Sequence, residues 1–101
     1  MEEPGLRRVL KEICTTERMT AHLGIISPGQ ASSRHSHETS EEFVYVVADI
    51  GEVWVGDETA RLKPNVMVYG PPAIPHQYRN TGQHDLILFV VYSPPTTMPS
   101  R

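Results

Sequence analysis

From Met19 onward the chain is one short β-type segment after another, each closed by a cluster of Pro, Gly, Asn or Asp. That rhythm points to an all-β sandwich or barrel. Residues 19–26 alternate Met19, Ala21, Leu23 and Ile25 with Thr20, His22, Gly24 and Ile26, and Ser27-Pro28-Gly29 then supplies a turn. Residues 42–47 are β-branched and aromatic, and Asp49-Ile50-Gly51 turns them back into 52–55 as a hairpin. Gly56-Asp57-Glu58 leads into 59–62, and Pro64-Asn65 into 66–69. Pro71-Pro72-Ala73-Ile74-Pro75 precedes 76–80, and Thr81-Gly82-Gln83-His84 precedes a last strand over 85–92.

The two ends are less regular. Leu6, Val9, Leu10 and Ile13 fall at the i, i+3, i+4, i+7 spacing of a short amphipathic helix, yet 7–13 reads equally well as an edge strand. Residues 6–18 are therefore expected to be one or the other. The tail over 93–101 has three prolines in nine residues and is expected to be extended or frayed. No repeat or linker divides residues 1–101, which are read as one domain.

Composition narrows the function. Hydrophobic residues make up 39% of the 101, enough for a core and too many for a disordered chain. Nine Lys and Arg against twelve Asp and Glu give a net charge of −3, and no basic run is present, so a nucleic-acid partner is not expected. The longest strongly apolar run, 86–92, is far short of the ~20 residues of a spanning helix, so no membrane association is expected. The acidic Met1-Glu2-Glu3-Pro4-Gly5 start lacks the basic-then-apolar order of a secretory signal, and the single Cys14 cannot form an internal disulfide. Both lead us to expect a cytoplasmic protein, with Cys14 a semi-buried structural thiol rather than a nucleophile.

Five histidines carry the chemical interest: His22, His35, His37, His76 and His84. Residues two apart on a strand share a face, so His35 and His37 place two imidazoles side by side. Glu38, Glu41 and Glu42 follow within reach, and imidazole with carboxylate suits zinc, iron, manganese, nickel and copper. His76, mounted behind a proline-stiffened turn, can bring a third imidazole from another strand. His22 shares its parity with Thr20 and Gly24 and could face a cavity, although a satisfied or exposed structural role is expected. His84 sits in a turn and should be solvated.

At these residues the chain resembles the cupin family. Gly29, His35, His37, Glu42 and Asp49 fall at the spacing of the first cupin motif, and Asn65, Pro71, Ala73, His76 and Asn80 at that of the second. Three family glycines are replaced, by Asp49, Asn65 and Ala73. Asp and Asn tolerate left-handed φ best among non-glycine residues. At Ala73 the expectation is either a negative φ or a bend absorbed by Gly70.

The resemblance implies a small antiparallel β-barrel of double-stranded β-helix (jelly-roll) type. It also implies one divalent transition metal held by His35, His37, Glu42 and His76. Glu41 is the alternative to Glu42, but the distance to Asp49 and the parity of the following strand favour Glu42. Such a site would act on a small organic molecule within the barrel, as an oxygenase or as a Lewis-acid isomerase, cyclase or lyase. A non-catalytic ligand-binding or sensing module is the alternative. Val44, Val46, Met67, Tyr69, Tyr78 and Phe89 are the expected cavity wall. Tyr78, two residues after His76 and on its face, is the acid-base candidate, with a core aromatic as the plainer reading. Arg34 and Arg79 border the ligand positions and could meet a substrate carboxylate, if they are not simply surface arginines. A homodimer is expected from the small size and from the family's habit of pairing through an outer sheet face.

Overall fold

The computed structural model describes residues 8–32, 34 and 36–95, with side chains from residue 13 onward. His35, the tail from residue 96 and the first seven residues lie outside the described residues. Eight strands follow in order: β1 (Arg8–Thr15), β2 (Thr20–Ile26), β3 (Glu41–Ala48), β4 (Gly51–Val55), β5 (Glu58–Leu62), β6 (Met67–Gly70), β7 (His76–Asn80) and β8 (Leu86–Ser93). The helix-or-strand alternative near the N-terminus resolves as strand. β1 joins β2 through a Thr16 turn whose hydroxyl accepts the Arg18 and Met19 amides at 3.1 and 3.2 Å.

Two antiparallel sheets form, a five-stranded one in the order β1-β2-β8-β3-β6 and a three-stranded one in the order β5-β4-β7. They enclose a core that includes Val44, Val46, Val53, Leu62, Leu86 and Leu88. Strand parity decides what enters it. On β3 the even residues Glu42, Val44 and Val46 point in, and Glu41, Phe43, Tyr45 and Val47 point out. On β8 the inward set is Leu86, Leu88, Val90 and Tyr92.

This parity corrects part of the expected wall. Val44, Val46 and Tyr78 face inward, but Met67, Tyr69 and Phe89 do not. Tyr69 and Met67 pair with Phe43 and Tyr45 on β3, and Phe89 also pairs with Tyr45, which places all three on the outer face. Cys14 is exposed rather than semi-buried, because β1 is an edge strand with a neighbour on one side only.

The replaced glycines keep the backbone that glycine would give. Asp49, Asn65 and Ala73 all have left-handed φ, at 73°, 74° and 66°. Neither expectation for Ala73 holds: its φ is positive, and Gly70 is not the residue that takes the left-handed turn. Asn80 closes the barrel end. Its Nδ2 donates to the Ile26 and His84 carbonyls at 2.8 and 2.7 Å, and its Oδ1 accepts the Gly82 amide at 2.8 Å. No helix among the described residues is long and apolar enough to cross a membrane.

Candidate metal centre

The alternation that buries Val44 and Val46 also carries Glu42 inside, where it is 1% exposed. Glu41, one step away, points outward and accepts the Tyr69 hydroxyl at 2.7 Å. Between the two carboxylates, the interior one is therefore Glu42. β7 alternates in the same way and turns His76, Tyr78 and Asn80 inward. β6 lies against β3 with Gly70 opposite Glu42. A Cβ at Gly70 would touch His76 Nδ1 at 3.4 Å and the Glu42 Cβ at 3.5 Å. Those are ordinary van der Waals distances, so the glycine backbone packs directly beside His76 and Glu42.

His37, Glu42 and His76 bring ligand-type atoms within 4.8 Å of one another. His76 Nε2 lies 2.8 Å from Glu42 Oε1, and its Nδ1 lies 3.1 Å from the Ile74 carbonyl oxygen. His37 Nε2 stands 3.9 Å from the same Glu42 oxygen. The second oxygen, Oε2, accepts the Tyr78 hydroxyl at 2.9 Å. The ring of Tyr92 meets His37 edge-on with centroids 4.5 Å apart, and His22 sits 5.3 Å behind Tyr92. The His37 side chain, 11% exposed, is the least buried of the three groups.

Electrostatics follow from this enclosure. Burial pushes the His76 imidazole pKa down, but the Glu42 hydrogen bond, the Glu42 charge and the Ile74 carbonyl outweigh it, so the net shift is upward. The Ile74 carbonyl can only accept, so Nδ1 is the nitrogen that carries a proton in either charge state, and the Glu42 carboxylate beside Nε2 favours the protonated imidazole. Burial raises the Tyr78 phenol well above its usual value, and the charge and hydrogen bond of Glu42 raise it further. Tyr78 thus keeps its proton and presents it to Glu42.

These residues fit a divalent metal. Two imidazoles and a carboxylate are a donor set for borderline transition metals. The Nδ1–H of His76 is already held by a backbone carbonyl, which leaves Nε2 to bind, as metal-ligating histidines are usually arranged. His37, Glu42 and His76 would hold the metal, and it would supply the positive charge beside the buried Glu42 carboxylate.

The other nominated residues divide. His22 is buried at 2% and points into the barrel, which corrects any reading of it as exposed. The interior at this level holds the polar cluster, so Thr20, His22 and Gly24 turn inward, and Leu23 and Ile25 take the opposite face. His84 is exposed, as expected, and its amide donates to Asp49 at 3.0 Å. Arg34 and Arg79 are exposed, and Arg79 leaves β7 on the face opposite His76. Two residues beside the site were missed by sequence reasoning. Tyr92 shares the inward parity of Leu88 and Val90, a signal that was available. Ser32, whose hydroxyl accepts the Tyr78 amide at 2.9 Å, carried no signal in the sequence.

With this geometry in place, comparison with known proteins settles the family. The cupin-domain family model matches residues 22–92. The chain belongs to the cupin family. Among curated relatives it is similar to the Streptomyces cyaneus protein named polyketide synthase CurC, at 37% identity over 78 residues, covering 77% of this chain and 51% of that one. The chain spans about half the length of the first curated relatives it matches. A crystal structure of a Thermus thermophilus protein superposes with a TM-score of 0.85 at 31% identity, covering 95% of this cupin and 90% of that chain. A putative sugar phosphate isomerase from Acidithiobacillus ferrooxidans superposes at 0.77 and 30% identity, covering 90% and 62%.

Proposed function

We infer that this cupin binds one divalent transition metal through His37, Glu42 and His76, with His35 as the fourth ligand the motif calls for, and works on a small carbonyl-bearing molecule as a Lewis-acid isomerase, cyclase or lyase. The observation that carries the reading is the enclosed Glu42 carboxylate, its two oxygens divided between His76 and Tyr78. The metal, when bound, would supply a positive charge that polarises a substrate oxygen. His76 is oriented by its bond to the Ile74 carbonyl. Tyr78 positions Glu42 and, with its proton held, acts as a donor rather than a base. Val44 and Val46 keep the interior beside Glu42 apolar, which strengthens every charge interaction there. Substrate approaches from the His37 side, where the cluster is least buried.

Two similarities favour the non-redox reading over an oxygenase. One relative is named as a polyketide synthase, and one structure as a putative sugar phosphate isomerase. Polyketides and sugar phosphates are both carbonyl-bearing classes of compound, and enolisation beside a carbonyl is the chemistry we propose for this chain. The test loads the purified chain with metal and follows deuterium uptake from heavy water into a panel of hydroxy-ketones and poly-ketones by NMR, with an oxygen electrode in parallel. Metal-dependent deuterium exchange without oxygen consumption is expected. Substrate-dependent oxygen uptake would select the oxygenase, and saturable binding without turnover would select a sensing module.

We also propose that the chain pairs with a second copy through the outer face of the five-stranded sheet. Phe43, Tyr45, Val47, Met67 and Tyr69 are all exposed on that face, and a contiguous apolar surface of this kind marks an interaction site.

A further inference from the structure

β7 has a second face. While His76, Tyr78 and Asn80 point into the barrel, Gln77 and Arg79 point away from it. Across the sheet, Gln77 is in register with Trp54, and Arg79 with Glu52. Residues 29–32 run along the free edge of β7 as a further ribbon. Gly29 N–H donates to the Asn80 carbonyl at 3.2 Å, Asn80 N–H to the Gln30 carbonyl at 2.9 Å, and Ser32 N–H to the Tyr78 carbonyl at 2.8 Å. Gln77 Nε2 donates across this edge to the Ser32 carbonyl at 2.9 Å. The result is a preformed groove of about 440 Å³ between that ribbon and the side chains of Trp54, Gln77 and Arg79. The groove is open to solvent along one side, so a ligand would lie along it rather than be enclosed.

The groove offers a specific set of groups. Trp54 is partly exposed and supplies an indole face and an indole N–H. Gln77 has its amide N–H engaged with Ser32, which leaves its side-chain oxygen as an acceptor. Arg79 is exposed and makes no ion pair among the described residues. The acidic group on this face is Glu52, registered between Arg79 and Arg61. One carboxylate set between two guanidiniums leaves the row with net positive charge, despite the negative charge of the whole chain.

We propose that this groove is a second ligand site, separate from the metal centre and on the reverse side of β7, for a small hydroxylated ring that carries a carboxylate. The ring stacks on Trp54, the carboxylate pairs with Arg79, and a ring hydroxyl donates to Gln77 Oε1. Arginine is suited to this role because its planar fork matches a carboxylate. A sugar acid and a hydroxylated aromatic acid share this chemistry, and the experiment separates them.

Trp54 is the chain's one tryptophan, so a ¹⁵N-labelled sample gives a single indole N–H signal that reports directly on the groove. The signal is followed while glucuronate, 4-hydroxybenzoate, glucose or phenol is added to the full chain, with chelator present to keep the metal centre out of play. A saturable shift with one or both acids, at a dissociation constant of about 1 mM or tighter, is expected, and which acid binds identifies the ring. Arg79→Gln, a change at an exposed position, should weaken it about tenfold or more while the remaining amide signals stay in place. Trp54→Phe, read through the Gln30 and Ala31 amides, should weaken it as well. No saturable shift with either acid, equal binding of glucose or phenol, or undiminished binding by Arg79→Gln would each overturn the proposal.

Discussion

Ala73 donates its backbone N–H to the carbonyl oxygen of His37 at 2.6 Å, so the loop that leads into His76 is tied directly to the segment that carries His37. The two imidazoles of the cluster arrive from different segments in different halves of the chain. This clasp fixes the spacing between their backbones.

Ala73 makes this bond while holding a φ of 66°. That conformation costs an L-residue about 1–2 kcal/mol and costs glycine nothing comparable. Part of the gain is offset because glycine also loosens the unfolded chain. Ala73→Gly is expected to raise stability by about 0.5–1 kcal/mol in a urea titration, with metal binding retained. Destabilisation would show that the alanine methyl makes a contact worth more than the strain.

Tyr78 tests the positioning of Glu42. Tyr78→Phe removes the donor to Oε2 and leaves a buried carboxylate oxygen less satisfied. The expected cost is about 1–3 kcal/mol in metal-free protein. Metal affinity, measured by competition with a chromophoric chelator, should fall about tenfold or more, the usual consequence of losing a partner to a ligand. Unchanged affinity would make Tyr78 a core aromatic and nothing more.

The raised His76 pKa sets a pH dependence for the metal-free chain. In the unfolded chain His76 titrates near 6.5, and in the folded chain higher. Its pairing with Glu42 therefore contributes its full stability below about pH 6.5, and that contribution is lost as pH rises through the folded value. Urea midpoints measured in chelator between pH 6 and 9 should fall with rising pH, and Glu42→Gln should flatten the curve. Bound metal should remove this fall and, below about pH 7, reverse it, because the ligating imidazoles must be deprotonated while those of the unfolded chain still bind protons.

The exposed apolar face of the five-stranded sheet leads to a hydrodynamic prediction. Sedimentation at micromolar concentration should give a mass near twice the 11.3 kDa of one chain. Tyr45→Glu, placed in the middle of that face, should shift it to a single chain. A monomer in the unsubstituted protein would reject the pairing.

Much of this architecture was legible in the sequence because turn residues and β-branched runs act locally. The strand succession from β2 to β8 follows from them within a residue or so at each end. The distance to Asp49 and the parity of β3 together favoured Glu42 over Glu41, and the burial of Glu42 agrees. What parity could not reveal was which face of β2 is interior, since a barrel that houses polar chemistry turns His22 and Thr20 inward and leaves Leu23 and Ile25 on the other side. A similar inversion misplaced Met67, Tyr69 and Phe89, whose size suggested a cavity wall and whose register places them on the outer surface. The long-range bonds were not legible at all. Nothing in the sequence marks the Ala73 amide as a partner for His37, or the Ser32 hydroxyl as a partner for Tyr78.

The central claim is that His37, Glu42 and His76 hold one metal ion together. It is tested most directly by the metal content per chain, measured by plasma mass spectrometry after equilibration with a stoichiometric mixture of divalent ions. The unsubstituted chain should retain about one ion, and a folded Glu42→Gln, His76→Ala double variant close to none. Retention of a full equivalent by the variant, or none by the unsubstituted chain, would contradict the account.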